Sequence, residues 1–126
     1  MRMLLLVSAG GAIGAGARHL VNVGVGRVLG TSFPWGTLTV NIVGSFLMGL
    51  LIEYIMLRAA GSPEMRAFLA TGVLGGFTTF SAFSLDVALL MGRKEQGLAA
   101  LYVAGSVGIA ILALYAGFAA ARGLFV

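Results

Sequence analysis

The chain has 126 residues, of which 60% are hydrophobic and 10% are charged, and its formal net charge is +4. A soluble domain carries about 25% charged residues, so this composition excludes a soluble fold and predicts an integral membrane protein. Cysteine is absent, which excludes disulfides and thiolate metal sites, and a single histidine argues against a multi-histidine metal site. A membrane helix needs about 20 apolar residues, so the chain has room for about four spans.

Four apolar segments predict a single all-α membrane domain over residues 1–126. These segments run over residues 3–29, 35–57, 67–91 and 98–121. Gly10 and Gly14 have the small-xxx-small spacing that allows two membrane helices to approach closely. Pro34 suits the start of the second helix, because its missing N–H is not needed there. Ser62 and Pro63 form a similar start before the third.

The third segment is interrupted where a membrane helix should be most regular. Gly75 and Gly76 are followed by Phe77 and then by Thr78 and Thr79, and both Gly and Thr are weak helix formers. A broken membrane helix is tolerated only where the freed carbonyls find partners, as they do when they line a cavity or hold an ion. The stretch from Gly75 to Ser84 therefore predicts a functional site, and a helix kink packed against Gly and Thr is the alternative.

Aromatic rings and hydroxyls alternate after this interruption. Phe80, Phe83 and Ser84 are spaced at i, i+3 and i+4, which places them on one helical face. The edge of an aromatic ring carries positive potential, so ring edges and hydroxyls together form donors without a fixed charge. With the amide of Asn41, they predict a path for a small, strongly hydrated anion. Ordinary packing of the two rings is the alternative.

Other polar residues in the spans also share helical faces. Thr37, Asn41 and Ser45 recur every four residues in the second segment, and Tyr102 and Ser106 do so in the fourth. A further polar residue, Arg18, lies inside the first segment. An arginine there either faces an aqueous vestibule, where it attracts anions, or reaches the interface or an ion-pair partner.

The basic residues are divided almost equally between the two sides of the membrane. With four spans, Arg2, Arg58, Arg66 and Arg122 share one side, and Arg27, Arg93 and Lys94 share the other. The positive-inside rule then gives little preference for either orientation. We therefore expect the chain to insert in both orientations and to pair with itself as an antiparallel homodimer.

Two segments resemble the Fluc/CrcB family of fluoride channels. They are GTLTVNIVGS at residues 36–45 and TGVLGGFTTFSAFS at residues 71–84, and the likeness in length and span number extends over nearly the whole chain. The resemblance implies an antiparallel, dual-topology homodimer in the inner membrane through which fluoride leaves the cell passively. Fluoride toxicity is lowered in this way, because HF that enters the cell dissociates and traps fluoride inside.

The resemblance also implies roles for particular residues. Two pores at the dimer interface would be lined by Asn41, Phe80 and Phe83, with Thr79 and Ser84 nearby. A polar track on the fourth span would comprise Tyr102 and Ser106, and Arg18 would lie at the vestibule. A structural Na⁺ on the two-fold axis would be held by the backbone carbonyls of Gly75 and Thr78 from each subunit. Ala82, Asp86 and Ala110 depart from the family pattern.

Two other functions are compatible with four short spans. A proton-coupled exporter of small cations needs a carboxylate inside the membrane, and Asp86 is the one candidate in the third segment. We expect Asp86 to be interfacial or salt-bridged, which disfavours that function. The second is an accessory membrane subunit without transport of its own. An enzyme is not expected, because no nucleophile–base constellation or cofactor motif is present.

Overall fold

The computed structural model describes residues 1–126 and is all-helical. Four helices are long and apolar enough to cross a membrane, which confirms the predicted number. Helix α1 comprises Arg2–Leu29, α2 comprises Trp35–Arg58, and the third span comprises Pro63–Gly92. The last span is one continuous helix, Gln96–Phe125.

The third span is divided into short pieces. It begins with α3 (Pro63–Arg66), where the Ser62 hydroxyl accepts a hydrogen bond from the Met65 amide at 3.1 Å. A π-helical segment (Ala67–Leu74) and α4 (Gly75–Phe77) follow.

The chain then leaves the helix at Thr78, whose ψ of 158° is extended. It re-enters a helix as α5 (Ser81–Gly92), and the last span is therefore α6. The break lies within the stretch where the sequence predicts it. The preceding π-helical segment was not predicted, because its residues AFLATGVL carry no glycine pair or proline.

Glycines bring neighbouring helices into backbone contact. Gly10 and Gly14 are buried against the third span, where a Cβ added to Gly10 would lie 2.9 Å from the Gly72 Cα. The close approach predicted from their spacing is thereby confirmed. A Cβ on Gly49 of α2 would lie 3.3 Å from the Gly117 Cα of α6, so these two helices also touch through backbone atoms. The break is consequently packed against α1 on one side, while α2 runs along α6.

Few residues are shielded from the surroundings in the single chain. Only 16 of the 126 residues are buried, and the main apolar cluster comprises Phe83, Leu90, Ala99 and Tyr102, between α5 and α6. Half of the large apolar side chains are exposed, as expected of a chain that contacts lipid or another membrane subunit rather than water.

Candidate functional site

Asn41 of α2 holds the broken segment through its backbone. Its Oδ1 accepts a hydrogen bond from the Thr79 amide at 2.8 Å, and its Nδ2 donates to the Thr79 carbonyl at 3.0 Å. The side chain therefore pairs with one residue of the break through both ends of its amide. A carboxamide has two N–H groups, so one donor of Asn41 is left for another acceptor.

Two carbonyls in the break lose the donors that an unbroken helix would supply. In an α-helix, the Gly75 carbonyl would accept from the Thr79 amide, and the Thr78 carbonyl would accept from the Ala82 amide. Here the Thr79 amide is bonded to Asn41, and the Ala82 amide donates to the Thr79 Oγ1 at 3.2 Å. Neither carbonyl accepts a hydrogen bond from elsewhere in the chain. Both are thus free for an external partner.

Threonine side chains stabilise the two ends of this break. The Thr78 hydroxyl donates to the Leu74 carbonyl at 3.0 Å, and the Thr79 hydroxyl caps the Ala82 amide at the start of α5. Gly44 of α2 lies directly against the Thr78 methyl group, so that a Cβ at position 44 would overlap it. The absence of a side chain at Gly44 therefore allows the break to approach α2.

An open groove of about 470 Å³ lies between α2, the break and α6. It collects seven of the residues expected from the sequence: Asn41, Gly75, Thr78, Thr79, Phe80, Phe83 and Ser106. Three others from that expectation, namely Tyr102, Ser84 and Arg18, do not line it. The groove therefore combines amide, hydroxyl, carbonyl and aromatic groups with no charged side chain.

The aromatic residues form a row that leads from the groove into the apolar cluster. The ring centroids of Phe80 and Phe83 are 5.4 Å apart, and those of Phe83 and Tyr102 are 5.0 Å apart. Phe83 is 7% exposed, whereas Phe80 is 76% exposed. Phe80 is the N-cap of α5, and its carbonyl accepts a hydrogen bond from the Ser84 amide at 2.9 Å, so the two rings are one helical turn apart, as the spacing predicts, but differ in exposure.

Two serines near the rings differ in their bonding. The Ser84 hydroxyl donates to the Phe80 carbonyl at 3.0 Å, within its own helical turn. Ser106 is 5% exposed, and its Oγ is the one buried side-chain polar atom in the chain without a hydrogen-bond partner. Buried hydroxyls are normally paired, so Ser106 has an unused donor beside the groove.

The structure corrects the environment expected for Asp86. The carboxylate forms no ion pair; it is half-buried and accepts a hydrogen bond from the Tyr102 hydroxyl at 2.9 Å. No sequence pattern indicated this pair, because the two residues lie on different helices. Tyr102 is therefore oriented by Asp86 and is buried against the rings of Phe83 and Phe33.

Arg18 contacts the opposite side of the break. Its Nε donates to the Gly76 carbonyl at 3.2 Å, and the residue is half-buried. The guanidinium thus places positive charge within the membrane next to the broken segment. Its predicted role in a vestibule stays a prediction.

Several groove residues were missed by the sequence reasoning. Met48, Val107, Ile111 and Leu114 contribute apolar surface to the groove. Met48 comes one turn after Gly44 and Ser45 and two turns after Asn41, so its position on the polar face of α2 was the signal that could have identified it. On α6, Leu114 continues the four-residue repeat of Tyr102, Ser106 and Ala110, which could have identified it, whereas no such signal distinguishes Val107 and Ile111 from lipid-facing residues.

Comparison with known proteins gives a consistent set of similarities. Residues 5–118 match the family described as CrcB-like protein, Camphor Resistance (CrcB). A protein of Chelativorans sp. (strain BNC1), named fluoride-specific ion channel FluC, is 57% identical over 98% of this chain and 99% of its own length. The protein of the same name from Agrobacterium fabrum is 56% identical over 97% of this chain and 98% of its own.

Proposed function

Because the chain belongs to the CrcB-like family of membrane proteins, we propose that it is a fluoride-selective ion channel that lets fluoride leave the cell passively and so lowers fluoride toxicity. Near full-length similarity to proteins named as fluoride channels is the observation that carries this proposal. The groove supports it further, because its polar groups are neutral hydrogen-bond donors and acceptors.

The chemistry of the groove suits a small anion. Transfer of a bare ion into a low-dielectric core costs tens of kcal/mol by Born estimates, so the lining must replace the lost water. The available donors include the free N–H of Asn41, the hydroxyls of Ser45 and Ser106, and the edges of Phe80 and Phe83. None of them is charged, so each attracts fluoride without holding it too tightly to release.

The functional unit in this proposal is an antiparallel, dual-topology homodimer. The groove is open on one side, and Phe80 at its rim is 76% exposed. A second copy that covers this face would enclose the groove and shield the ring. The almost equal division of basic residues between the two membrane sides supports opposite orientations of the two copies.

A structural Na⁺ between the two copies is part of the same proposal. Hard cations prefer oxygen ligands, and the chain contains no cluster of three His, Cys, Asp or Glu side chains that could hold a metal. The Gly75 and Thr78 carbonyls have lost their helical donors, so they fit a cation bound by backbone oxygens. Two copies would supply four such carbonyls and join the subunits at the break.

Purified protein in liposomes tests the channel function. Liposomes loaded with fluoride should release it rapidly down its gradient, without an applied proton gradient, and protein-free liposomes should not. An accessory subunit without transport would give no release above that background. Retention of fluoride by well-folded, correctly reconstituted protein would refute the proposal.

The exporter alternative is not favoured, and Asp86 distinguishes it. A proton-coupled exporter depends on a membrane carboxylate, so Asp86→Asn should abolish its transport. A passive channel should retain fluoride efflux in that variant, because an amide can still accept the hydrogen bond from Tyr102. Loss of all efflux in folded Asp86→Asn protein, with proton dependence in the unaltered chain, would favour the exporter.

A further inference from the structure

A second groove lies on another face of α2, beside the segment that precedes the break. It has a volume of about 450 Å³, and its α2 wall consists of Leu47, Leu50, Leu51 and Tyr54. These residues are spaced at i, i+3, i+4 and i+7, which defines one continuous helical face. The face differs from the one that carries Asn41 and Ser45, so the two grooves are separate.

The opposite wall comes from the irregular part of the third span. Leu69, Val73 and Leu74 line the groove, and all three belong to the π-helical segment Ala67–Leu74. Phe125, at the end of α6, closes one end. All eight lining residues are hydrophobic, so the groove offers nothing to an ion or to water.

The closed end of the groove carries a free positive charge. The Phe125 ring packs against Tyr54 with centroids 4.7 Å apart, and the Arg58 Cζ lies 5.9 Å from the centroid of Phe125. Arg58 forms no ion pair, whereas the nearby Arg122 is neutralised by Glu53 at 2.9 Å. The side chain of Arg58 is therefore available to an anion at the membrane interface.

The length of this surface corresponds to one leaflet of a bilayer. Leu47 and Arg58 are eleven positions apart on α2, which is about 16 Å at 1.5 Å per residue. The hydrocarbon core of a bilayer is about 30 Å thick, so the groove extends from the interface to about the midplane. A phospholipid in that leaflet has an acyl chain of this reach below an anionic headgroup.

From this arrangement we propose that the groove binds one acyl chain of an anionic phospholipid, whose phosphate pairs with Arg58. The apolar walls select the chain, and the guanidinium selects the charge of the headgroup. The site is distinct from the groove at the break, because no residue lines both, although Leu74 of one and Gly75 of the other are adjacent in the chain.

Mass spectrometry of the intact, detergent-solubilised protein tests this site. The protein is mixed with equal amounts of dioleoyl phosphatidylglycerol and dioleoyl phosphatidylcholine, and the lipid retained by each variant is counted. One basic residue near the surface contributes about a fivefold preference for an anionic lipid. We expect that preference in the unaltered chain and its loss in Arg58→Gln. Arg66→Gln, an exposed residue on the same side, is the matched control and should keep it.

A variant that fills the groove tests whether its apolar walls bind the acyl chain. Leu47 is 38% exposed, so Leu47→Trp can fill the deep end without disturbing the core. If the indole displaces about two methylenes of the acyl chain from the groove, retention of both lipids should fall about tenfold. Leu112→Trp on the exposed surface of α6 is the control and should not change retention. If Leu47→Trp loses helicity or aggregates, Leu51→Phe takes its place.

Three results would overturn the proposal. One is equal retention of both lipids by the unaltered chain. Another is that Arg58→Gln and Arg66→Gln lose the preference for phosphatidylglycerol to the same extent. The third is unchanged retention in a folded groove-filling variant. None of these would affect the fluoride-channel proposal, which is tested by efflux.

Discussion

Asn41 and Thr79 form a pair of hydrogen bonds that joins α2 to the broken third span. The Thr79 amide donates to the Asn41 Oδ1 at 2.8 Å, and the Asn41 Nδ2 donates to the Thr79 carbonyl at 3.0 Å. The two residues are 38 positions apart, so this side chain substitutes for helical hydrogen bonds that the break removes. Asn41 thereby both holds the shape of the site and presents one remaining N–H to the groove.

Substitution of Asn41 should affect stability as well as flux. Asn41→Leu leaves the Thr79 amide and carbonyl without partners, and we expect the loss of two hydrogen bonds to lower the free energy of unfolding by about 2 kcal/mol. Fluoride efflux should also fall in Asn41→Leu, because the N–H that Asn41 presents to the groove is removed. Thermal unfolding and liposome efflux measure the two effects.

Thr39→Val on the same helix is the control for that experiment. The Thr39 hydroxyl bonds only to the Trp35 carbonyl of its own helix, at 2.7 Å, so its removal should change little. Equal stability of Asn41→Leu and Thr39→Val would show that the pair with Thr79 does not support the break.

The two phenylalanines should respond differently to replacement. Phe80→Ile should sharply reduce fluoride flux with little change in subunit stability, because Phe80 is 76% exposed in the single chain. Phe83→Ile should also reduce flux, but it removes packing against Tyr102 and should lower stability by about 1 kcal/mol or more. Dimers should persist in both variants.

Efflux rates and chemical denaturation of the two variants test this difference. Phe118→Ile, which alters a ring on α6 outside the groove, is the matched control and should keep its flux. Unchanged flux in both Phe80→Ile and Phe83→Ile would mean that the rings serve only packing.

Substitution of Ser106 distinguishes a role of its hydroxyl in transport from a role in stability. Its buried hydroxyl has no partner, so Ser106→Ala should leave stability unchanged or raise it by up to about 1 kcal/mol. Loss of a hydrogen bond to a passing anion should nevertheless lower fluoride flux about tenfold. Efflux and thermal unfolding of Ser106→Ala, with exposed Ser8→Ala as a control, decide between the two roles. Normal flux in Ser106→Ala would place the hydroxyl outside the ion path.

Prolonged removal of sodium should weaken the dimer. If the Gly75 and Thr78 carbonyls of both copies hold Na⁺, mass action stabilises the assembly by about 2.7 kcal/mol when sodium is 100 times its Kd. Dimer dissociation in lipid should therefore increase when Na⁺ is replaced by N-methylglucamine at constant ionic strength. A dimer affinity that is the same with and without sodium would contradict the central cation.

The sequence by itself determined the four apolar helices, the position of the break and most of the residue types at the groove. These follow from local properties, namely hydropathy over about 20 residues, the weak helix propensity of Gly and Thr, and the four-residue spacing of polar side chains. The resemblance of residues 36–45 and 71–84 to a channel family added the expected function, and the similarity of the whole chain to that family agrees with it.

Only the tertiary structure decided how the polar groups are paired. Asn41 bonds to Thr79, Asp86 accepts from Tyr102, and Arg18 bonds to the Gly76 carbonyl, each across a helix boundary. Such pairs depend on how closely two helices approach and on their rotation, and glycine contacts far apart in the chain set both. Hydropathy and spacing describe one helix at a time, so they could not identify these partners or the π-helical wall of the second groove.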